Sequence, residues 1–206
     1  MIIVNSILLC VRKFVFNADS DDSFLGGFSP GYPLKPVKTQ YICQVHDVGP
    51  DVRHITAIEP VYTSTVGSPF IHHTLIHVCG ADYPALQAMD LNANAHPCQT
   101  PLSDDHATGQ SPTGNGICTS IIYVSASGSG PFVMPDLAGM KLGHHRRFLV
   151  YEVHVDNPQL LQGVAITNVV KIHTTSNLRP YDAGSMTIGD PAVTLPSIPL
   201  GSNSYT

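Results

Sequence analysis

The sequence predicts an all-β protein, an antiparallel jelly-roll-like β-sandwich, and three observations carry that prediction. Charged residues make up only 12% of the 206-residue chain while Gly and Pro number 17 each, a balance that favours turns over solvated helices. No stretch longer than a few residues repeats a helical apolar period. From Tyr41 onward, short β-type runs alternate with turn-formers at the spacing of a sandwich or jelly roll. A chain of this length can bury the core of one large all-β domain, or at most two small ones, without outside help.

The elements follow in order. The opening "MIIVNSILLCVRKFVFNADSDD" is apolar, but no basic residue leads it and Arg12 and Lys13 interrupt it. It makes a poor signal peptide and is too short to span a bilayer, so no membrane span is expected in this chain. Residues 17–40 are rich in Asp, Ser, Gly and Pro without a period, which predicts an extended leader, and residues 1–37 are assigned to that leader or to part of a preceding region. Strands are then predicted at "TQYICQV", "RHITAIEPVY", "PFIHHTLIHVC", "CTSIIYVSA", "FLVYEVHV", "VVKIHTT", "AGSMTIG" and "AVTLP", which are rich in β-branched and aromatic residues and bounded by turn-formers. One long irregular stretch, Gly80 to Gly116, separates the third run from the fourth and contains Cys98. A disulfide there would tether a loop that otherwise costs entropy to hold. The folded domain is assigned to residues 38–200, and residues 201–206 to a linker, where a next domain could begin.

Charge and motifs narrow the function. A net charge of -5, with no basic cluster beyond "HHRR", excludes a nucleic-acid surface, which needs a concentrated positive field. The five cysteines, Cys10, Cys43, Cys79, Cys98 and Cys118, contain no CxxC pair, so neither a zinc knuckle nor a thioredoxin-like motif is indicated. Four of them lie in the body of the domain at wide, unequal gaps that suit two loop-closing disulfides in an oxidising compartment. Nucleophile-elbow, dinucleotide, P-loop and H-E-x-x-H signatures are absent from the sequence. The pair Asp104 and Asp105 reads as solvated loop charge.

Histidines are the remaining candidates. In "FIHHTLIHVC", His73, Leu75 and His77 share one face of a regular strand while His72, Thr74, Ile76 and Val78 share the other. Adjacent His72 and His73 would point apart. Both can hold one ion only if the backbone twists or bulges, or if one ring binds through Nδ1 and the other through Nε2. In "RFLVYEVHVDNP", Phe148, Val150, Glu152 and His154 share a face. A lone strand histidine is more often a satisfied core residue, yet three imidazoles from two non-adjacent strands form a ligand set that suits copper or zinc and leaves a coordination position open. His46, His96, His106, His144 and His145 are placed in loops, and His173 in a strand without a nearby partner; surface or core roles account for all of these.

Taken together, "YIC", "HITAIEPVY", "HHTLIHVC", "HPC", "GIC", "FVMPDLAGMKLG", "RFLVYEVHVDNP" and "LRPYDAGSMTIG" resemble, in order and approximate spacing, the first catalytic half of the copper type II, ascorbate-dependent monooxygenases. The resemblance covers about residues 38 to 200, and "EVHVDNP" and "YDAGSMTIG" follow the dopamine beta-hydroxylase-like branch. It implies a two-domain enzyme in which each half is a jelly-roll-like sandwich with one copper. The copper of the first half relays electrons, and its ligands here would be His72, His73 and His154. The copper of the second half, which lies outside this chain, binds molecular oxygen and hydroxylates the substrate, so no further catalytic or cofactor-binding residue is assigned here. Ascorbate would be the reductant, and a small amine-like organic molecule the substrate. The family pattern also pairs Cys43 with Cys98 and Cys79 with Cys118, leaving Cys10 over, and implies a secreted or secretory-pathway protein. Two departures are Val155, where the family commonly has Tyr, and a missing tryptophan in "IIYVSASGSGP". The competing reading is a non-catalytic secreted copper-binding or structural β-sandwich.

Overall fold

The computed structural model describes residues 22–61, 68–80, 95–98, 118, 120–126 and 128–186. Eleven strands are present among them: β1 (Asp22–Pro33), β2 (Thr39–Asp47), β3 (Arg53–Val61), β4 (Ile71–Cys79), β5 (His96–Pro97), β6 (Ser120–Ala126), β7 (Phe132–Val133), β8 (Ala138–Leu142), β9 (Phe148–Asp156), β10 (Ala165–Thr175) and β11 (Tyr181–Ala183). The only helical element among the described residues is a 3-10 turn at Ser68–Phe70. None of those residues forms a helix long and apolar enough to cross a membrane.

The strands build two sheets. The first runs in the order β1-β10-β3-β8-β11, with β7 added beside β3, and the second runs β5-β2-β9-β4-β6. Every pairing is antiparallel except β11 with β8. The predicted all-β antiparallel sandwich is therefore what the chain forms.

Strand alternation sorts the second sheet into two faces. Ile76, Val78, Leu149 and Tyr151 turn toward the first sheet and pack with Ile55, Ile58, Met140, Leu142, Val170 and Ile172 in one buried cluster. The same layer continues through Ile42, Val153, Val155 and Ile166. On the opposite face, Cys43, Val45, Phe148 and Val150 form a separate apolar cluster with Cys79, Cys98 and Cys118. Two disulfides, Cys43–Cys98 and Cys79–Cys118, cross-link this face. They span 55 and 39 residues of sequence, so the chain-entropy estimate credits each with about 4 kcal/mol. Disulfides of this kind persist in an oxidising compartment. Covered on both sides, β9 is buried from Phe148 through Val153, which is why its sequence is apolar at nearly every position.

Three features differ from the sequence expectations. The stretch read as an extended leader contains β1, which pairs with β10 from Asp22↔Thr174 to Pro33↔Ala165. Its apolar alternation is broken by glycines for a steric reason. A Cβ on Gly26 would lie 1.8 Å from the Tyr151 hydroxyl oxygen, so the strand passes over that ring only because the side chain is missing. His46 and His96, both assigned to loops, lie in β2 and β5. Of the strand expected at "AGSMTIG", only Ala183 lies in a strand, at the end of β11 where it pairs along β8; residues 184–186 are not in a strand and the rest lies outside the described residues. The strand expected at "AVTLP", most of the stretch 80–116, Cys10, His106 and the Asp104–Asp105 pair lie outside the described residues.

Candidate metal centre

The centre stands at the end of β4 and β9 on the disulfide-bearing face of the second sheet. In the antiparallel register His73 lies directly opposite His154. That pairing brings two imidazoles of one face side by side. The strands, expected to be non-adjacent, are hydrogen-bonded neighbours in the sheet, because β9 inserts between β2 and β4.

His72 is the residue that regular alternation would turn away. The register advances from Ile71↔Val155 to His73↔His154, so β4 carries one extra residue there, a β-bulge at His72. Its ring consequently lies beside that of His73, with the two Nδ1 atoms 3.0 Å apart. Ring centroids are 5.2 Å apart for His72 and His73, 5.0 Å for His72 and His154, and 4.9 Å for His73 and His154. One nitrogen from each of the three rings lies within 4.8 Å of the other two. Among the described residues no other such cluster of His, Cys, Asp and Glu occurs.

The neighbouring strand β2 grips the third ring. Tyr41, opposite His154 in the register, stacks on its imidazole with centroids 4.4 Å apart and planes 4° from parallel. Two residues earlier on the same face, Thr39 places its Oγ1 2.6 Å from His154 Nε2. Neither residue stands out in the sequence, because a Thr and a Tyr in a strand are ordinary β-formers. The i, i+2 spacing ahead of Cys43 is the only signal they leave.

Electrostatics favour neutral rings with available lone pairs. Burial lowers the His73 pKa from its ordinary value, and the charge of His72 lowers it further. For His154 burial is again the largest cause, followed by the charges of His73 and His72. The carboxylate of Glu152 opposes these shifts at both rings, so its negative field reaches the place where a cation would sit. Glu152 itself is buried, with Oε2 3.4 Å from the equally buried His77 Nε2.

A cluster of three imidazoles at these separations has the donor chemistry that suits copper. His72 is exposed and the other two are half-buried, so the cluster opens to solvent. The remaining described histidines do not join it. His54 is held by Asp182, with Nε2 2.9 Å from the carboxylate, and its Nδ1 accepts the Arg179 N–H. His173 lies 3.3 Å from Glu59.

Residues 29–162, which include all three histidines, match the family model of the copper type II ascorbate-dependent monooxygenase N-terminal domain. The chain belongs to this family. Copper type II ascorbate-dependent monooxygenases use copper and ascorbate, and the trio of imidazoles fits the metal. Similar proteins include the tyramine beta-hydroxylase of Caenorhabditis briggsae, 27% identical over 90% of this chain and 28% of its own length. The dopamine beta-hydroxylase of Canis lupus familiaris is 27% identical over 76% of this chain and 23% of its own. DBH-like monooxygenase protein 1 of Gallus gallus is likewise 27% identical, over 76% and 24%. The chain thus spans about a quarter of the length of these relatives.

Proposed function

We propose that this chain is the electron-transfer copper domain of an ascorbate-using monooxygenase, with His72, His73 and His154 as the copper ligands. One observation carries the reading: within the segment matched by the family, a β-bulge gathers three imidazoles whose ligand atoms lie within 4.8 Å of one another. Copper in such a site supplies one-electron chemistry by cycling between Cu(I) and Cu(II). The protein's part is to bind and orient. Burial keeps His73 and His154 in the neutral, ligating form. The Glu152 carboxylate adds a favourable field for a cation, and the exposed edge at His72 leaves the centre open to a small dissolved reductant such as ascorbate.

The relatives are several times longer than this chain, so the oxygen-activating site is assigned to a partner domain beyond these residues. The names of the relatives point to a small amine-like organic substrate. The two disulfides support residence in the secretory pathway or outside the cell.

The test is copper binding by the purified chain. We expect about one copper per chain, and His154→Ala should weaken its affinity by at least about 100-fold, because two imidazoles form a poorer chelate than three. Wild-type affinity and stoichiometry in that variant would refute the ligand assignment.

A further inference from the structure

The third ring of the trio has its two nitrogens in different situations. His154 Nε2 lies 2.6 Å from Thr39 Oγ1, whereas Nδ1 is buried and has no hydrogen-bond partner. A neutral imidazole carries one N–H and one lone pair, and a hydroxyl can either donate or accept. Were the proton on Nδ1, a buried donor would be left without an acceptor. With the proton on Nε2, Thr39 accepts it and the Nδ1 lone pair is left for a cation.

We infer that Thr39 is a positioning residue of the copper site: its Oγ1 accepts the Nε2–H of His154 and thereby holds Nδ1 as the ligand atom. This inference rests on the reading of His154 as a copper ligand. Three features of β2 support it. Thr is β-branched and stiff about χ1, so the hydroxyl is presented from a fixed direction rather than found by search. Tyr41, two residues on, stacks flat on the same ring, so tilting of the imidazole out of its plane is restrained from a second side. The backbone register ties both residues to β9, with Thr39 opposite Asp156 and Tyr41 opposite His154. The outer partner of a metal-bound imidazole fixes its tautomer and orientation, and its loss typically costs 10–100-fold in metal affinity.

The experiment compares Thr39→Val, Thr39→Ser and His154→Ala in the full chain. Valine keeps the branched shape at an exposed strand position and removes only the hydroxyl. Copper affinity is measured by competition with a chelator, and the ring nitrogens of His154 are read by 15N NMR in the diamagnetic Cu(I) form. We expect Thr39→Val to weaken copper by about 10- to 100-fold and Thr39→Ser to restore it to within about threefold of wild type. The wild-type Cu(I) spectrum should show His154 protonated at Nε2 and bound through Nδ1. Unchanged affinity in Thr39→Val, a Thr39→Ser variant as weak as Thr39→Val, or ligation of His154 through Nε2 would each overturn the inference. If His154→Ala loses copper while Thr39→Val keeps it, only the role of Thr39 falls. If His154→Ala retains copper at wild-type affinity, the ligand reading falls and the Thr39 inference falls with it.

Discussion

His77 shows how one strand separates two uses of imidazole. It shares a face with His73 in a regular strand, yet it is buried four residues away, 3.4 Å from the buried Glu152 carboxylate, while the three-histidine cluster opens to solvent. Its work is to fill the interior beside the Glu152 side chain. Cutting a large buried side chain back to alanine typically costs about 2–5 kcal/mol, because a cavity is left behind. His77→Ala is therefore expected to lower the unfolding free energy by about 3 kcal/mol while copper stoichiometry stays at one. Urea denaturation and metal analysis of the same preparation check both halves, and loss of the copper with the fold intact would assign His77 to the ligand set. The sequence allows this division of roles to be framed but not decided, because burial of His77 depends on what covers the face.

At the scale of the element, two local irregularities decide what the strands can do. The bulge in β4 moves His72 off the alternation that would have pointed it away from His73. In β1, Gly26 removes the side chain that would collide with Tyr151, whose ring is buried and has nowhere to retreat. A Gly26→Ala change places a methyl 1.8 Å from the tyrosine oxygen and 2.0 Å from its ring carbon. Overpacking of this kind costs about 1–3 kcal/mol, and here the upper end is expected. The urea midpoint should fall accordingly while copper affinity changes little, because the proposed site lies on the far face of the second sheet. A midpoint equal to wild type would show that β1 does not pack over Tyr151. Strands β2, β3, β4, β6, β9 and β10 were legible because β-branched and aromatic runs end at turn-formers; β1 was not, because its packing requires glycines that erase the pattern.

On the scale of the whole molecule, the sandwich holds a single candidate metal cluster among its described residues, made of three imidazoles. Under the proposed division of labour, the copper-loaded chain given ascorbate should lose its Cu(II) paramagnetic signal, but it should show no substrate-coupled oxygen consumption. Product-forming turnover by this chain alone would mean that a complete active site lies within it. The sequence by itself determined the fold class, the face on which His73 and His154 stand within their own strands, and the ordered blocks that mark the family. These are local properties: side-chain alternation, turn chemistry and motif spacing are written in neighbouring residues. Tertiary structure alone decided that β4 and β9 are neighbours, that a bulge turns His72 to the same centre, and that Thr39 and Tyr41 hold His154 from β2. Register and bulge position are settled by the energy of pairing with a strand that begins only at Phe148, and no pattern within β4 encodes that partner.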